Sequence, residues 1–155
     1  MKKDFTPEDE LLFLALGGSG EIGMNVNLYG CQGKWLMVDL GMTFSGDQYP
    51  GVDLVFADLE FIEERSDQLE AIVLTHAHED HIGALPFFLK EVDVPVYGGK
   101  LTLAMLGRKL GEHNLTRDDV TFYPVDAGDR LKIGEFVVEF VHTNHSVPNA
   151  MSIAL

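Results

Sequence analysis

The feature that most constrains this chain is a group of four metal-ligand side chains that directly follows an apolar run. The run Ala71–Leu74 is typical of a buried β-strand, and His76, His78, Asp80 and His81 lie within the next seven residues. A strand of this kind would deliver the four side chains together, as a tight loop, to the edge of a sheet at the end of the strand. Any fold for this chain must therefore bury the strand and leave that end of the sheet open.

The types and spacing of these side chains predict a metal site. Two histidines separated by one residue, His76 and His78, can turn onto one cation, whereas Asp80 and His81 can face a second cation nearby. Imidazole together with carboxylate suits zinc, and also manganese or iron. A polar surface loop with coincidental histidines is disfavoured, because three of the six histidines of the chain fall here at ligand spacing.

A later pair of histidines offers a third imidazole. His142 continues the face of Val138 and Phe140 in a predicted strand, whereas His145 lies beyond it among loop-forming residues. Spacing alone leaves both histidines open as ligands. We favour His145, because a side chain on a loop can be aimed freely at a cation.

Two other polar residues, Asp39 and His113, are candidates for the site. Asp39 ends the predicted strand Trp35–Asp39, where its carboxylate either supports a histidine ligand or simply caps the strand. Spacing does not decide between these two roles. His113 follows a predicted helix, where the helix dipole favours a cationic side chain, so we disfavour it as a ligand.

Charge and cysteine content limit the classes of function. The net charge of −14 argues against a broad basic surface for nucleic acid, although bound divalent cations could offset it locally and receive a phosphate. Cys31 is the only cysteine, which excludes an intramolecular disulfide and is typical of a reducing cytoplasm. No apolar run reaches the roughly 18 residues of a membrane helix. We therefore expect a cytoplasmic protein that does not bind a membrane.

The remaining periodicities predict a single domain behind an N-terminal tail of residues 1–10. Leu11–Leu16 is typical of a buried strand. After Gly18-x-Gly20-x-x-Gly23, the alternation from Met24 to Leu28 predicts a second strand, which argues against a dinucleotide-binding motif because that motif requires a helix there. Other segments are predicted from the same cues: a loop over 42–51, helices over 82–90 and 101–112, and strands over 121–123, 130–133 and 135–141.

The pattern His76-x-His78-x-Asp80-His81, with the later His145, resembles the metallo-β-lactamase superfamily. More narrowly, the sequence resembles the ribonuclease J family, which belongs to the β-CASP branch. Four linked stretches carry this narrower likeness, and they are residues 17–25, 38–41, 50–55 and 75–86. His145–Pro148 agrees with the third motif of the family. The chain departs from the family at Ala77, where glycine is usual, and at Asn149, where aspartate is usual.

The resemblance implies a mixed α/β (α+β) fold, the αββα sandwich, with a site for two Zn²⁺ ions or for Mn²⁺ or Mg²⁺ in their place. The ligands that it implies are His76, His78 and His145 for one cation, then Asp80 and His81 for the other. Asp39 would support the site from behind a ligand. Asp80 would also be the catalytic residue that orients the attacking water.

The resemblance also implies an activity and a larger protein. The bridging aspartate and final histidine of the family come after its third motif, so we expect residues 11–155 to be the N-terminal part of a metallo-β-lactamase domain, without the β-CASP and C-terminal domains. The intact enzyme would be a homo-oligomer that hydrolyses RNA in RNA processing and decay, both 5′ to 3′ from an end and internally. The 155-residue chain alone is expected to bind at most about one metal ion tightly and to have little or no nuclease activity.

Two alternatives stay open at this point. A small-molecule hydrolase of the same superfamily, such as a thioesterase or lactonase, would share the first group of ligands. A non-catalytic chain that binds a partner or serves a structural purpose is the second alternative.

Overall fold

The computed structural model describes residues 10–46, 50–116 and 118–155 of the 155-residue chain. The predicted N-terminal tail lies outside the described residues except for Glu10, and so do residues 47–49 of the predicted loop. The strands are β1 (Leu12–Gly17), β2 (Val26–Cys31), β3 (Lys34–Val38), β4 (Met42–Phe44), β5 (Leu54–Phe56), β6 (Leu69–Val73), β7 (Val96–Gly99), β8 (Phe122–Val125), β9 (Arg130–Ile133), β10 (Phe136–His142) and β11 (Met151–Ala154). The helices are α1 (Glu60–Glu63), α2 (Glu79–Ile82), α3 (Leu85–Phe88) and α4 (Lys100–Glu112), with a 3-10 turn at Ser66–Gln68.

Six strands form a large sheet in the order β1-β2-β3-β6-β7-β8. The first three are antiparallel neighbours, whereas β3, β6, β7 and β8 run parallel to one another. Neighbouring parallel strands finish at the same end of a sheet. Asp39 follows β3 and Thr75 follows β6, so the topology alone brings these two residues together.

A second sheet, in the order β11-β10-β9, packs against the large sheet through an apolar layer. Strand β10 buries Phe136, Val138 and Phe140 and exposes Val137 and Val141, as expected for a strand with one packed face. The buried side chains lie in one cluster with residues from the large sheet, namely Leu36, Ala71 and Val73.

Every helix of the described residues contributes to the apolar core on the other face of the large sheet. Helix α4 buries Leu103, Leu106 and Leu110 there, at the spacing of one helix face. Helices, large sheet and second sheet thus form three successive layers, in agreement with the predicted sandwich. None of the helices in the described ranges is long and apolar enough to cross a bilayer.

The single helix predicted over residues 82–90 is wrong, because α2 ends at Ile82 and a separate short helix, α3, begins at Leu85. In a continuous helix, the ring of Pro86 would collide with the carbonyl of Ile82, and Pro86 has no N–H to donate to it. In α3, Pro86 lies in the first turn, where an N–H would have no helical partner. The break leaves Asp80 and His81 on the single turn of α2 rather than in a loop.

Predictions near the N-terminus are partly confirmed and partly corrected. The strand predicted over Leu11–Leu16 is present as β1, but Phe13 is 58 % exposed, because β1 lies at the edge of the sheet and pairs only with β2 among the described strands. The predicted loop over 42–51 begins instead with β4, which pairs with β5. The strand predicted after the glycine motif is confirmed as β2, so the glycines connect two strands.

Candidate metal centre

The segments that follow β6 and β10 bring the predicted ligands to one place. The segment after β6 carries His76 and His78 and leads into α2, and the segment after β10 carries His145. The two segments are joined where the Met151 amide donates to the Thr75 carbonyl at 3.0 Å. Side chains 69 residues apart in the sequence, those of His76 and His145, therefore meet.

We call His76, His78 and His145 the first cluster. Nε2 of His76 lies 3.0 Å from Nδ1 of His78 and 3.0 Å from Nε2 of His145, and the third side of this triangle is 3.2 Å. Nitrogens bound to zinc at about 2.0–2.1 Å in a tetrahedron lie roughly 3.3 Å apart. Three imidazoles at this spacing fit a divalent cation and leave one coordination position open.

We call Asp80 and His81 the second cluster. Nε2 of His81 lies 3.5 Å from Oδ2 of Asp80, and the rings of His81 and His76 are 4.0 Å apart, so the two clusters are adjacent. A carboxylate and an imidazole suit zinc or manganese. Two protein donors leave most coordination positions of a cation to other groups.

Asp39 contacts the second cluster directly. It is only 3 % exposed, and its Oδ2 lies 2.7 Å from Nδ1 of His81. Asp39 also accepts hydrogen bonds from Thr75, at 2.7 Å from the hydroxyl and 2.8 Å from the backbone amide. Because a carboxylate only accepts, His81 carries its proton on Nδ1, which leaves the lone pair of Nε2 for a cation.

Thr75 extends this arrangement to the first cluster. Its hydroxyl oxygen lies 2.9 Å from Nδ1 of His76. Since the hydroxyl proton is donated to Asp39, the oxygen accepts from Nδ1–H of His76, and Nε2 of that ring is left unprotonated. One buried carboxylate therefore sets the tautomer of a candidate ligand in each cluster, as supporting carboxylates do at metal sites.

Asn25 contacts the second cluster from the other side. Its Nδ2 lies 3.2 Å from Nε2 of His81, 3.3 Å from Oδ2 of Asp80 and 3.0 Å from the Asp80 carbonyl. Asn25 and Thr75 are the contacts that the sequence reasoning missed as site residues. The available signal was their place within the stretches 17–25 and 75–86, which carry the family resemblance.

The two clusters differ in their electrostatics. Burial, helped by the charge of His81, lowers the pKa of His76 to about 4, while the charge of Asp39 opposes this shift. Burial also lowers the pKa of His81, but the hydrogen bond and charge of Asp39, together with the charge of Asp80, raise it above the ordinary 6.5. His76 is therefore neutral at pH 7, as a metal ligand must be.

The other candidate histidines lie apart from the first cluster. His142 is the last residue of β10 and is exposed, in register with Met151 of β11. The ring of His113 packs edge-on against Phe87 at 4.8 Å. The structure thus places His145, and not His142, against the other two imidazoles, and its role as a ligand stays a prediction.

Comparison with known proteins establishes the class. The profile of the metallo-beta-lactamase superfamily matches residues 22–155, so the chain belongs to that superfamily.

Two solved structures show the same fold at low sequence identity. YhfI of Bacillus subtilis, a metallo-beta-lactamase fold protein, has a TM-score of 0.64 and 19 % identity, with 94 % of this chain and 57 % of that chain covered. A diphosphatase from the PhnP family has a TM-score of 0.60 and 18 % identity, with 84 % and 48 % covered. The predicted fold class is confirmed.

Within the superfamily, the chain is similar to ribonuclease J, which confirms the resemblance predicted from the motifs. It is 44 % identical to ribonuclease J of Sinorhizobium meliloti over 156 residues, which cover 98 % of this chain and 28 % of that protein. It is 45 % identical to ribonuclease J of Mycobacterium tuberculosis over 142 residues, covering 91 % and 25 %. The chain thus spans about a quarter of the length of these curated relatives. The fold and the first cluster together indicate binding of a divalent metal ion.

Proposed function

We propose that this chain functions in a ribonuclease that hydrolyses RNA phosphodiester bonds, 5′ to 3′ from an end and also internally, in RNA processing and decay. The observation that carries the proposal is the similarity to ribonuclease J, at 36–45 % identity over 90–98 % of the chain. The two adjacent clusters support it, because cations bound there would offset the net charge of −14 locally and receive a phosphate.

Two Zn²⁺ ions are the proposed cofactors, and Mn²⁺ or Mg²⁺ can replace them. His76, His78 and His145 would hold one ion, and Asp80 and His81 would supply two ligands to the other. When bound, such ions polarise a phosphoryl oxygen and lower the pKa of water.

Asp80 is the proposed catalytic residue. Its side chain is 37 % exposed, so a water molecule at the site can donate a hydrogen bond to it and be oriented toward phosphorus. Hydrolysis forms a bond between the water oxygen and phosphorus and breaks the bond between phosphorus and the leaving ribose oxygen, which takes up a proton. Asp39 is buried and is a positioning residue, because it acts through His81 and Thr75.

An open cleft of about 630 Å³ gives the substrate access to the site. Its lining includes His76, His81 and His145, the hydroxyl side chains of Thr75, Thr143 and Ser152, and apolar side chains such as that of Met151. A cleft with a few convergent polar groups among apolar walls is typical of a binding site. Its open shape suits a strand that passes across the clusters better than a small molecule that must be enclosed.

We propose that the isolated chain binds at most about one metal ion tightly and cleaves RNA slowly or not at all. The support is the count of ligands, three in the first cluster and two in the second. Residues 11–155 would then form part of a metallo-β-lactamase domain, and the remaining ligands would come from other segments in proteins as long as the relatives. Metal analysis of the purified chain tests this proposal, and two tightly bound ions or rapid RNA cleavage would contradict it.

The ribonuclease activity can be tested in a chimera. The segment of Sinorhizobium meliloti ribonuclease J that matches this chain is replaced by the chain, and cleavage of a 5′-labelled RNA is measured beside hydrolysis of a thioester and a lactone. We expect RNA cleavage that is lost in the variant His78→Ala. A folded chimera that hydrolyses only the small esters would support the alternative hydrolase, and one that hydrolyses nothing would support a non-catalytic chain.

A cytoplasmic location and a homo-oligomeric intact enzyme belong to the same proposal. The single cysteine and the resemblance to ribonuclease J support them. Cell fractionation and light scattering of the chimera measure both properties.

A further inference from the structure

The glycine-rich turn between β1 and β2 lies beside the second cluster. Gly18, Gly20 and Gly23 have φ values of 80°, 85° and 97°, in the region that other residues rarely adopt. In a dinucleotide-binding protein such a turn leads into a helix that meets a pyrophosphate, whereas here it leads into a strand. The turn therefore serves some other purpose in this chain.

Asn25, just after this turn, is fixed by its backbone. Its amide donates to the Asp80 carbonyl at 2.8 Å, and its own carbonyl accepts from the Gly41 amide at 3.0 Å. Its side-chain Nδ2 then reaches Oδ2 of Asp80 and Nε2 of His81 at 3.3 and 3.2 Å. One residue thus contacts both members of the second cluster.

Gly18 provides the space that the Asn25 side chain occupies. A Cβ atom at Gly18 would lie 2.3 Å from Oδ1 and 2.9 Å from Cγ of Asn25, which is closer than real atoms approach. A Cβ atom at Gly20 would meet nothing within 4 Å. Position 18 therefore requires glycine for two reasons, its positive φ and the closeness of Asn25, whereas position 20 requires it for its positive φ alone.

We propose that the glycine-rich turn positions the second cluster: the absence of a side chain at Gly18 leaves the space in which the Asn25 amide lies against Asp80 and His81. The inference rests on the proposed role of these two side chains as ligands. Asn25 is a positioning residue that holds both ligand atoms on the same side before a cation arrives. Its contacts are longer than the 2.7 Å contact between Asp39 and His81, so an entering cation can displace them without releasing the ring.

Three variants separate this role from general stability. Asn25→Ala removes the amide, and Gly18→Ala forces it out of place. Gly20→Ala is the matched control, because it puts alanine at nearly the same φ with no side chain to strike. Circular dichroism and the zinc affinity of the first cluster show whether each variant is folded.

The first measurement uses the metal-free chain labelled with ¹⁵N, in which long-range NMR correlations report each imidazole nitrogen. We expect the Nε2 signal of His81 to move in Asn25→Ala and Gly18→Ala, because it loses a hydrogen-bond donor. The signals of His78 and His145 should stay in place, and Gly20→Ala should match the wild type. An unmoved His81 signal in Asn25→Ala, or equal shifts in the two glycine variants, would overturn the inference.

The second measurement titrates Mn²⁺ into the chain after the first cluster has been filled with Zn²⁺. We expect Asn25→Ala and Gly18→Ala, but not Gly20→Ala, to bind Mn²⁺ more weakly than the wild type, because Asp80 and His81 are then no longer held on the same side before the cation binds. Tighter Mn²⁺ binding by Asn25→Ala would show that the amide competes with the cation, which overturns the inference. A wild-type His81 signal that Mn²⁺ never broadens would refute the proposed second site instead, and the metal-free spectra would still decide the role of the turn.

Discussion

The two clusters are assembled in different ways. The first cluster draws its ligands from two distant segments, so its triangle exists only after the second sheet has packed on the large sheet. The second cluster takes both of its ligands from the single turn of α2. Its order comes from residues outside that turn, Asp39 on one side and Asn25 on the other.

The two clusters also differ in how many ligands they have and in how many of those ligands are held by hydrogen bonds from other residues. The first cluster has three imidazoles, of which His76 is held by Thr75 at 2.9 Å, while His78 has only a long contact of 3.5 Å with the hydroxyl of Ser146. The second has two ligands, and hydrogen bonds hold both of them. Ligand removal should therefore be most severe in the first cluster, and removal of supporting groups most severe in the second.

Removing a ligand from the first cluster should give the largest effect. We expect His145→Ala to lower zinc affinity by more than about 100-fold, beyond the usual effect of losing a supporting group, because only two imidazoles remain. His142→Ala is the matched control, since His142 lies three residues earlier and is exposed on β10. Competition with a fluorescent chelator measures both affinities. Equal losses in the two variants would show that the triangle is not the binding site.

Replacing Asp39 should affect both clusters but the second more strongly. Asp39→Asn keeps the shape of the side chain and removes the charge that holds His81 and Thr75. We expect metal affinity to fall by about 10- to 100-fold at the second cluster and by less at the first, because the hydrogen bonds of Asp39 reach His81 directly but reach His76 through Thr75. The free energy of unfolding should fall by about 2 kcal/mol with the loss of charge-assisted hydrogen bonds. Titration with Mn²⁺ and urea denaturation measure the two effects, and a larger loss at the first cluster would contradict this order.

Replacing Thr75 should give a smaller effect on the metal affinity of the first cluster. Thr75→Val removes the hydroxyl that accepts from His76, so zinc affinity should fall by about tenfold. Thr102→Val is a matched control, because the hydroxyl of Thr102 is buried without a hydrogen-bond partner among the described residues. Calorimetry with Zn²⁺ compares the two variants. A tenfold loss of zinc affinity in both variants would point to a general loosening of the fold, and not to loss of the His76 tautomer that Thr75 sets.

The sequence predicted the ligands better than their supports, for a physical reason. His76, His78, Asp80 and His81 lie close together, so strand periodicity and ligand spacing suffice to group them. The contact between Asn25 and Asp80 spans 55 residues and depends on how β2 and α2 pack, which no periodicity records. Supports of this kind become visible only when the fold is known.

The error over residues 82–90 has a similar origin. The apolar spacing after His81 is compatible with one helix, and Pro86 is tolerated near the start of a helix. In the structure the helix breaks after Ile82, and Pro86 lies in the first turn of the next helix, α3. The chain just before the break is held by a hydrogen bond from the Leu40 amide to the His81 carbonyl at 2.8 Å. This contact links α2 to the residues just after β3, and local sequence gives no indication of it.

The smallest expected effect is the pH dependence of the metal-free chain, which distinguishes one histidine of each cluster. The pKa of His76 is lowered to about 4 in the folded chain, so between about pH 4 and 6.5 this imidazole is protonated in the unfolded chain but neutral in the folded one. The free energy of unfolding should therefore fall as the pH drops from about 6.5 toward 4. The pKa of His81 is raised, so its contribution is complete below about 6.5 and is lost as the pH rises through its folded-state value. Urea midpoints of the chelator-treated chain at pH 5, 6, 7 and 8 measure both slopes. His76→Asn should flatten the acid side and His81→Asn the alkaline side, and unchanged slopes in these variants would show that other groups control the pH dependence.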